Sequence, residues 1–258
     1  MWEKELSTAR EAAENSGDIL NRLFGKNLQI KKKGVVDLVT EADLQSESTI
    51  VRIIQDRFPQ DTILTEESGI HQRPSKRVWI IDPLDGTTNF AHAFPFFAVS
   101  IALEVENEII LGLVYNPYTN ERFEAVKGKG AFLNRGTINV SSTRHLEDSL
   151  LATGFPYHLR EDPHHILDLF AKIIVCVQGV RRPGSAAIDL CYVAAGRLDG
   201  FWEEGLNPWD TAAGSLIVSE AGGVVTDFQR APYHPYQGNI LAANPFIHID
   251  LAKILNSI

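Results

Sequence analysis

A chain of 258 residues that is 44% hydrophobic and 22% charged can bury a sizeable core, and it contains no apolar run near the ~20 residues that a membrane span needs. Its 24 Lys and Arg against 33 Asp and Glu leave a formal charge of −9, which argues against binding nucleic acid through bulk electrostatics. Two cysteines, Cys176 and Cys191, are too few for a disulfide framework or a zinc site; their apolar neighbours (IIVCVQ and DLCYVAA) read as buried thiols. The amino-terminal MWEKELSTARE carries charge early and lacks the apolar core of a secretory signal, so a cytoplasmic chain is expected.

Trp2, Leu6, Ala9, Ala13, Leu20 and Leu23 follow helical spacing and predict an amphipathic first helix. Thr40-Glu41-Ala42-Asp43 is an N-cap signal for a second, whose stripe of Leu44, Ile50, Val51 and Ile54 ends by Phe58-Pro59; Asp37 and Asp43 fall near its start. From Val78 the pattern changes to short β-rich runs, VWII, AVSIALEV, EIILGLVY, RFEAV and AFLN, expected as an antiparallel meander. The second half alternates. SLLATGF is strand-like, His164 to Val177 and Ala186 to Ala195 helical, DGFWE strand-like, Thr211 to Ala221 helical, GGVVTD and ILAAN strand-like, and HIDLAKIL helical. Helices interleaved with sheets predict a layered α/β architecture, a single domain over 1–258 with a soft division near 140 and no internal repeat.

The informative stretch is WIIDPLDGTTNF, where an apolar run ends in Asp82 and Asp85 around Pro83 and then releases into Gly86-Thr87-Thr88. Two carboxylates beyond a strand end can converge on one point. At ~4 Å and an effective dielectric of ~20 their repulsion is about 4 kcal/mol, so such a pair holds a shared proton or a cation, or else merely caps the next segment. ILTEESG repeats the layout with Glu66 and Glu67, and EEGLNPWDTAAG sets Asp210 at a helix start, where it would also pass as an ordinary N-cap. Oxygen-only ligands favour magnesium over zinc. Gly86-Thr87-Thr88 offers backbone amides and hydroxyls suited to an anionic oxygen. Acid cluster beside donor nest reads as metal-bridged phosphate chemistry. Monoester hydrolysis is accelerated by up to ~10²¹ where a positioned acid or base supplies only ~10² to 10⁴, so metals are favoured over simple acid–base catalysis. No G-x-S-x-G or P-loop appears, and water is the expected nucleophile.

DPLDGTTNF and PWDTAAGSLIVSEAGG, with EES at Glu66 to Ser68, resemble the signature segments of the inositol monophosphatase family, a likeness that runs from about Asp37 to Asp227. The resemblance implies an α-β-α-β-α sandwich, usually a homodimer, that hydrolyses phosphate monoesters with magnesium and is sensitive to lithium. It implies that Glu66, Asp82 and the Leu84 carbonyl hold one magnesium, that Asp82, Asp85 and Asp210 hold a second, and that a third, weaker ion hangs on Glu66. By the same resemblance Thr87, paired with Asp37, orients the attacking water, and the Gly86 and Thr87 amides hold the phosphate. Substrate selection falls to Glu203, with Glu204 as the alternative facing inward, and to Gly184, Ser185 and Ala186. Arg181 and Arg182 read as surface charge, or as contacts to a second phosphate or a dimer neighbour.

The same cage serves fructose-1,6-bisphosphatases, histidinol phosphatases and enzymes acting on phosphoadenosine phosphate or NADP, so it does not name the alcohol. The run DPLDGTTNFAHAFPFFAVSIAL and the short chain favour myo-inositol 1-phosphate. A different class stays open, a cation-binding regulatory partner protein. His92, His145, His158, His164 and His165 have no ligating spacing, and Phe94, Phe96 and Phe97 are expected in a core or dimer interface.

Overall fold

The computed structural model describes residues 2–26, 30–32, 38–156, 159 and 163–257, with the backbone alone at 30–32 and 38–39. Two long helices come first, α1 (Glu3–Leu23) and, after the short strands β1 (Ile30–Lys32) and β2 (Leu38–Thr40), α2 (Glu41–Arg57). The start of α2 is fixed by a capping box. Thr40 Oγ1 accepts from the Ala42 amide at 3.1 Å, while Asp43 Oδ2 accepts from the Thr40 amide at 2.8 Å.

An eight-stranded sheet follows, built from β3 (Thr62–Thr65), β4 (Gly69–His71), β5 (Arg77–Asp85), β6 (Ala98–Val105), β7 (Glu108–Asn116), β8 (Glu121–Val126), β9 (Ala131–Leu133) and β10 (Gly136–Ile138), with the short helix α3 (Thr87–Ala91) between β5 and β6. From β5 to β10 it is the expected antiparallel meander. One pairing departs from that pattern: β3 runs parallel to β5, with Thr65 opposite Ile81.

The chain then builds a five-stranded sheet in the order β12-β11-β13-β15-β14, from β11 (Leu150–Thr153), β12 (Gly179–Arg181), β13 (Gly200–Glu203), β14 (Val224–Thr226) and β15 (Ile240–Ala243). Its helices are α4 (His164–Ile174), α5 (Ala186–Ala194), α6 (Pro208–Glu220) and α7 (His248–Leu255).

Side-chain alternation along the strands sorts the helices into layers. Trp79, Ile81, Val99, Ile101, Leu103, Leu111 and Leu113 pack beneath α1 and α2, while Ile80, Ala98, Ala102 and Val114 face α5 and α6. In the second sheet Phe201, Ile240 and Ala242 also face α5 and α6, and Leu151, Trp202 and Leu241 face α4 and α7. The order is α-β-α-β-α, as the resemblance implied. The face toward α6 carries small residues because that helix lies directly on the sheet. A Cβ added at Gly112 of β7 would sit 2.6 Å from the Ala213 carbonyl oxygen.

One sequence expectation fails here. Cys191 is buried, but Cys176 is exposed, because α4 ends at Ile174 and the chain leaves the core before reaching it. Of the three phenylalanines, Phe97 is fully buried whereas Phe94 is 52% exposed. No helix among the described residues is long and apolar enough to cross a membrane.

Candidate active site

The parallel pairing of β3 with β5 decides where the first acids meet. Because Thr65 lies opposite Ile81, the next residues, Glu66 and Asp82, leave neighbouring strand ends together. On its other side β5 pairs with β6, and the register shifts between Asp82 and Asp85 at Pro83, a residue with no amide to give the ladder. The shift sends both aspartates to one end of the sheet. Asp82 is 2% exposed, and its Oδ1 accepts from the Leu84 amide at 2.9 Å. The Pro83 carbonyl accepts from Ser46 Oγ of α2 at 2.7 Å, which ties this turn to the outer helix.

Asp85 closes a second connection. Its Oδ2 accepts from Ser185 Oγ at 2.6 Å and from the Ala187 amide at 2.8 Å, so it sits at the amino-terminal end of α5. Asn89 Nδ2 lies 2.7 Å from the Phe96 carbonyl, 2.9 Å from that of Pro183 and 3.2 Å from that of Gly184, binding the turn after β5 to the loop before α5.

Asp210 comes from the other direction, on α6. It does not take the N-cap position. Asn207 is the N-cap and Asp210 the third helical residue, whose Oδ2 accepts from the Asn207 amide at 2.7 Å in a capping box. Ser100 Oγ, on the β6 residue opposite Asp82, donates to the Trp209 carbonyl at 3.2 Å and anchors this helix start beside the β5 turn.

Glu66, Asp82, Leu84, Asp85, Gly86, Thr87, Gly184, Ser185, Ala186, Glu203 and Asp210 border a single pocket. All the expected site residues except Asp37 are thereby brought together; Asp37 lies outside the described residues. The partner that the structure gives Thr87 is a different aspartate of the same segment. Thr87 Oγ1 lies 3.0 Å from Asp43 Oδ1 and 3.0 Å from the Leu84 carbonyl, and Asp43 is fully buried. Asp43 is thus the partner of Thr87 among the described residues of this segment. The capping box at Thr40 explains the placement: it holds Asp43 Oδ2 to the helix start and leaves Oδ1 for the threonine.

The alternation of β13 settles the choice between the two glutamates. Glu203 shares the face of Phe201, toward α5, and is 9% exposed, whereas Glu204 Oε2 reaches His165 Nε2 at 3.5 Å. Gly154, Asp189 and Arg182 also border the pocket, although sequence reasoning assigned none of them a firm role. Gly154 is there because a Cβ at that position would stand 2.0 Å from the Glu203 carboxylate.

Electrostatics follow from this crowding. Burial, and then the charges of Glu66, Asp85 and Asp210, push the Asp82 carboxyl well above its ordinary range. Asp210 is raised by burial and by Asp85. Burial lifts Asp85 to about 6 against the bonds from Ser185 and Ala187, and lifts Glu203 to about 8 with help from Asp85, partly offset by Arg182. As placed, no three acidic, histidine or cysteine side chains among the described residues close on a single ion. Even so, four mutually repelling carboxylates and a carbonyl form an all-oxygen donor set, which suits a hard divalent cation and no soft one.

Two sheets and α6 together deliver acids to one pocket of a layered α-β-α-β-α sandwich. The chain belongs to the Inositol monophosphatase family, which it matches over residues 1–258. It is 49% identical over 252 residues to an inositol-1-monophosphatase of a Synechocystis species, covering 97% of this chain and 88% of the relative. It is 44% identical over 243 residues to Nus factor SuhB of Salmonella typhimurium, covering 93% of this chain and 91% of the relative. The crystal structure of the extragenic suppressor protein suhB from Bartonella henselae superposes with a TM-score of 0.93 at 44% identity, over 98% of both chains.

Proposed function

We propose that the protein hydrolyses phosphate monoesters with magnesium, and that its substrate is myo-inositol 1-phosphate, giving myo-inositol and phosphate. The observation that carries this reading is the convergence of Glu66, Asp82, Asp85 and Asp210 on the pocket that also holds Thr87 and its buried partner Asp43.

Magnesium would be held by Glu66, Asp82, Asp85, Asp210 and the Leu84 carbonyl, two or three ions in all, where it neutralises phosphate oxygens and acidifies water. The chain's own residues do the rest. Thr87 Oγ1, with a single proton to give to Asp43 or to Leu84, keeps a lone pair for the attacking water and fixes its direction. Burial raises the Asp43 carboxyl, which suits it to take up a proton relayed through Thr87. The Gly86 and Thr87 amides hold the phosphate. Glu203, flanked by Gly154, takes a hydroxyl of the leaving alcohol, and Gly184, Ser185 and Ala186 complete that wall. The working form is read as a homodimer in the cytoplasm.

The relative named Nus factor supports a second reading, a cation-binding regulatory partner. That role needs the acids but has no use for a hydroxyl paired with a buried carboxyl beside a turn rich in amides. The test is phosphate release from inositol 1-phosphate, fructose 1,6-bisphosphate, histidinol phosphate, phosphoadenosine phosphate and NADP, with and without magnesium. Preferential magnesium-dependent release from inositol 1-phosphate supports the reading, preference for another ester changes the substrate, and silence across the panel leaves the regulatory reading.

A further inference from the structure

One acid bordering the pocket has no part in the proposed hydrolysis. Asp189 is the single charged residue of α5, in the run AAIDLCYVA, and it is 2% exposed. Ser185 caps this helix and Ala186 opens it, so Asp189, three and four residues on, shares their face and borders the same pocket. Its Oδ1 is sealed from solvent and has no hydrogen-bond donor among the described residues.

Such a group is costly twice over. A buried acceptor without a donor loses its hydration, at about 1–3 kcal/mol or more for a charged one, and aspartate is a poor helix former in mid-helix. Asp85 bonds to Ser185 and Ala187, and Asp43 to Thr40 and Thr87, whereas Asp189 Oδ1 receives no bond from the described residues. Its surroundings raise the cost. The charges of Glu203 and Asp85 repel it, and Arg182, exposed at the rim, offsets only part of this. An unsatisfied buried acid calls for an explanation, and the pocket that Asp189 borders is a place from which a donor can reach its carboxyl group.

We propose that Asp189 is a specificity-determining residue, which together with Glu203 forms a pair of carboxyl groups that receives neighbouring hydroxyls of the substrate's alcohol portion. The geometry behind it is two acids on adjoining elements, α5 and β13, both bordering one pocket and set apart from the chain segments that carry the Thr87–Asp43 pair. A polyol fills the site by donating to both. An ester without hydroxyls leaves both without donors and is disfavoured, the asymmetry of a site built around hydrogen bonds. This proposal rests on the phosphatase reading but adds to it a residue and a substrate class, an ester bearing vicinal hydroxyls.

The experiment compares inositol 1-phosphate with p-nitrophenyl phosphate, which has no hydroxyl, on wild type, Asp189→Ala and Asp189→Asn with magnesium. Alanine should lower kcat/KM on inositol 1-phosphate about 10- to 100-fold, mostly through KM, and asparagine less, in the same direction. Activity on the aryl ester should stay within about 3-fold, and Tm should hold or rise, since the change removes an unsatisfied group and improves helix propensity. Equal losses on both esters, no loss on either, or a Tm drop of several degrees with both activities lost would overturn the assignment in favour of a structural role. Should Asp189→Ala fail to fold, the isosteric asparagine carries the comparison. If the wild type prefers another hydroxyl-bearing ester, the ratio is read on that one, and only the choice of inositol fails. A wild type active on no ester overturns both.

Discussion

Changing Asp82 to asparagine deletes a charge while keeping an oxygen to accept from the Leu84 amide, so it separates the acid's electrostatic role from its structural one. In the proposed reaction the variant loses several kcal/mol of charge stabilisation, and magnesium-dependent phosphate release should fall at least ~10³-fold. In chelator the same variant should melt higher, by about 2–4 °C for each 1 kcal/mol of repulsion relieved, because Glu66, Asp85 and Asp210 no longer face a fourth charge. A lower Tm would mean that Asp82 is a structural acid. At Thr87 the hydroxyl alone matters: Thr87→Val should lower kcat about 10²-fold or more, with Thr87→Ser recovering most of it. Equal rates for the two variants would remove the Thr87–Asp43 pair from the mechanism. Gly154→Ala should act on substrate and not on fold, since the atom in its way is the tip of the Glu203 side chain. KM for a polyol ester should rise while Tm moves by no more than ~1–2 °C, and a steep Tm loss would show that Glu203 cannot yield.

At the scale of elements, what was legible in the sequence was local. The apolar periods placed α1, α2 and the meander, and the acid-ended runs named Glu66, Asp82, Asp85 and Asp210 before any geometry was known. What was hidden depends on contacts between distant segments. Asp37 and Asp43 both lie in DLVTEAD, and spacing alone does not say which faces a threonine 44 residues from Asp43; the capping box at Thr40 was the available signal. Asp210 could also pass as an N-cap, because a prolyl residue two positions earlier does not reveal that Asn207 takes that place. Asp189 is inconspicuous because one acid in an apolar helix reads as its solvated edge, and only burial and the lack of a donor expose it. Likewise Gly112 looks like a flaw in EIILGLVY until α6 is laid against it. Gly112→Ala should force β7 and α6 apart, since the obstructing atoms belong to the Ala213 backbone, which cannot rotate away. The cost should be about 1–3 kcal/mol, read as a Tm loss of about 2–4 °C per kcal/mol, with kcat falling as Asp210 is displaced. An unchanged Tm would show that the helix is free to slide on the sheet.

For the whole molecule, the acids that make the pocket make stability depend on pH and on cation together. Folding raises Glu203 from an ordinary 4.5 to about 8 and Asp85 from 3.8 to about 6, and it raises Asp82, Asp189 and Asp210 in the same direction. Between the unfolded and folded values the native state therefore binds more protons than the unfolded chain. Stability then falls as pH rises, the contribution being complete below the unfolded values and lost as pH passes the folded ones. In chelator, Tm should decline from about pH 4 through about pH 8, with Glu203 governing the upper part of the window and Glu203→Gln flattening it. A divalent cation supplies the same compensation that protons do. Magnesium at about 100 times its Kd should add about 2.7 kcal/mol at pH 8, where the acids are ionised, and much less at pH 5.5, where protons compete for them. Thermal melts on a grid of pH and magnesium check this directly. The expected surface has its largest magnesium effect at high pH and its smallest at low pH. A chelator Tm flat from pH 5 to 8, or a magnesium effect independent of pH, would mean that the pocket's carboxyl groups fold already ionised and that protons and cation do not compete for them.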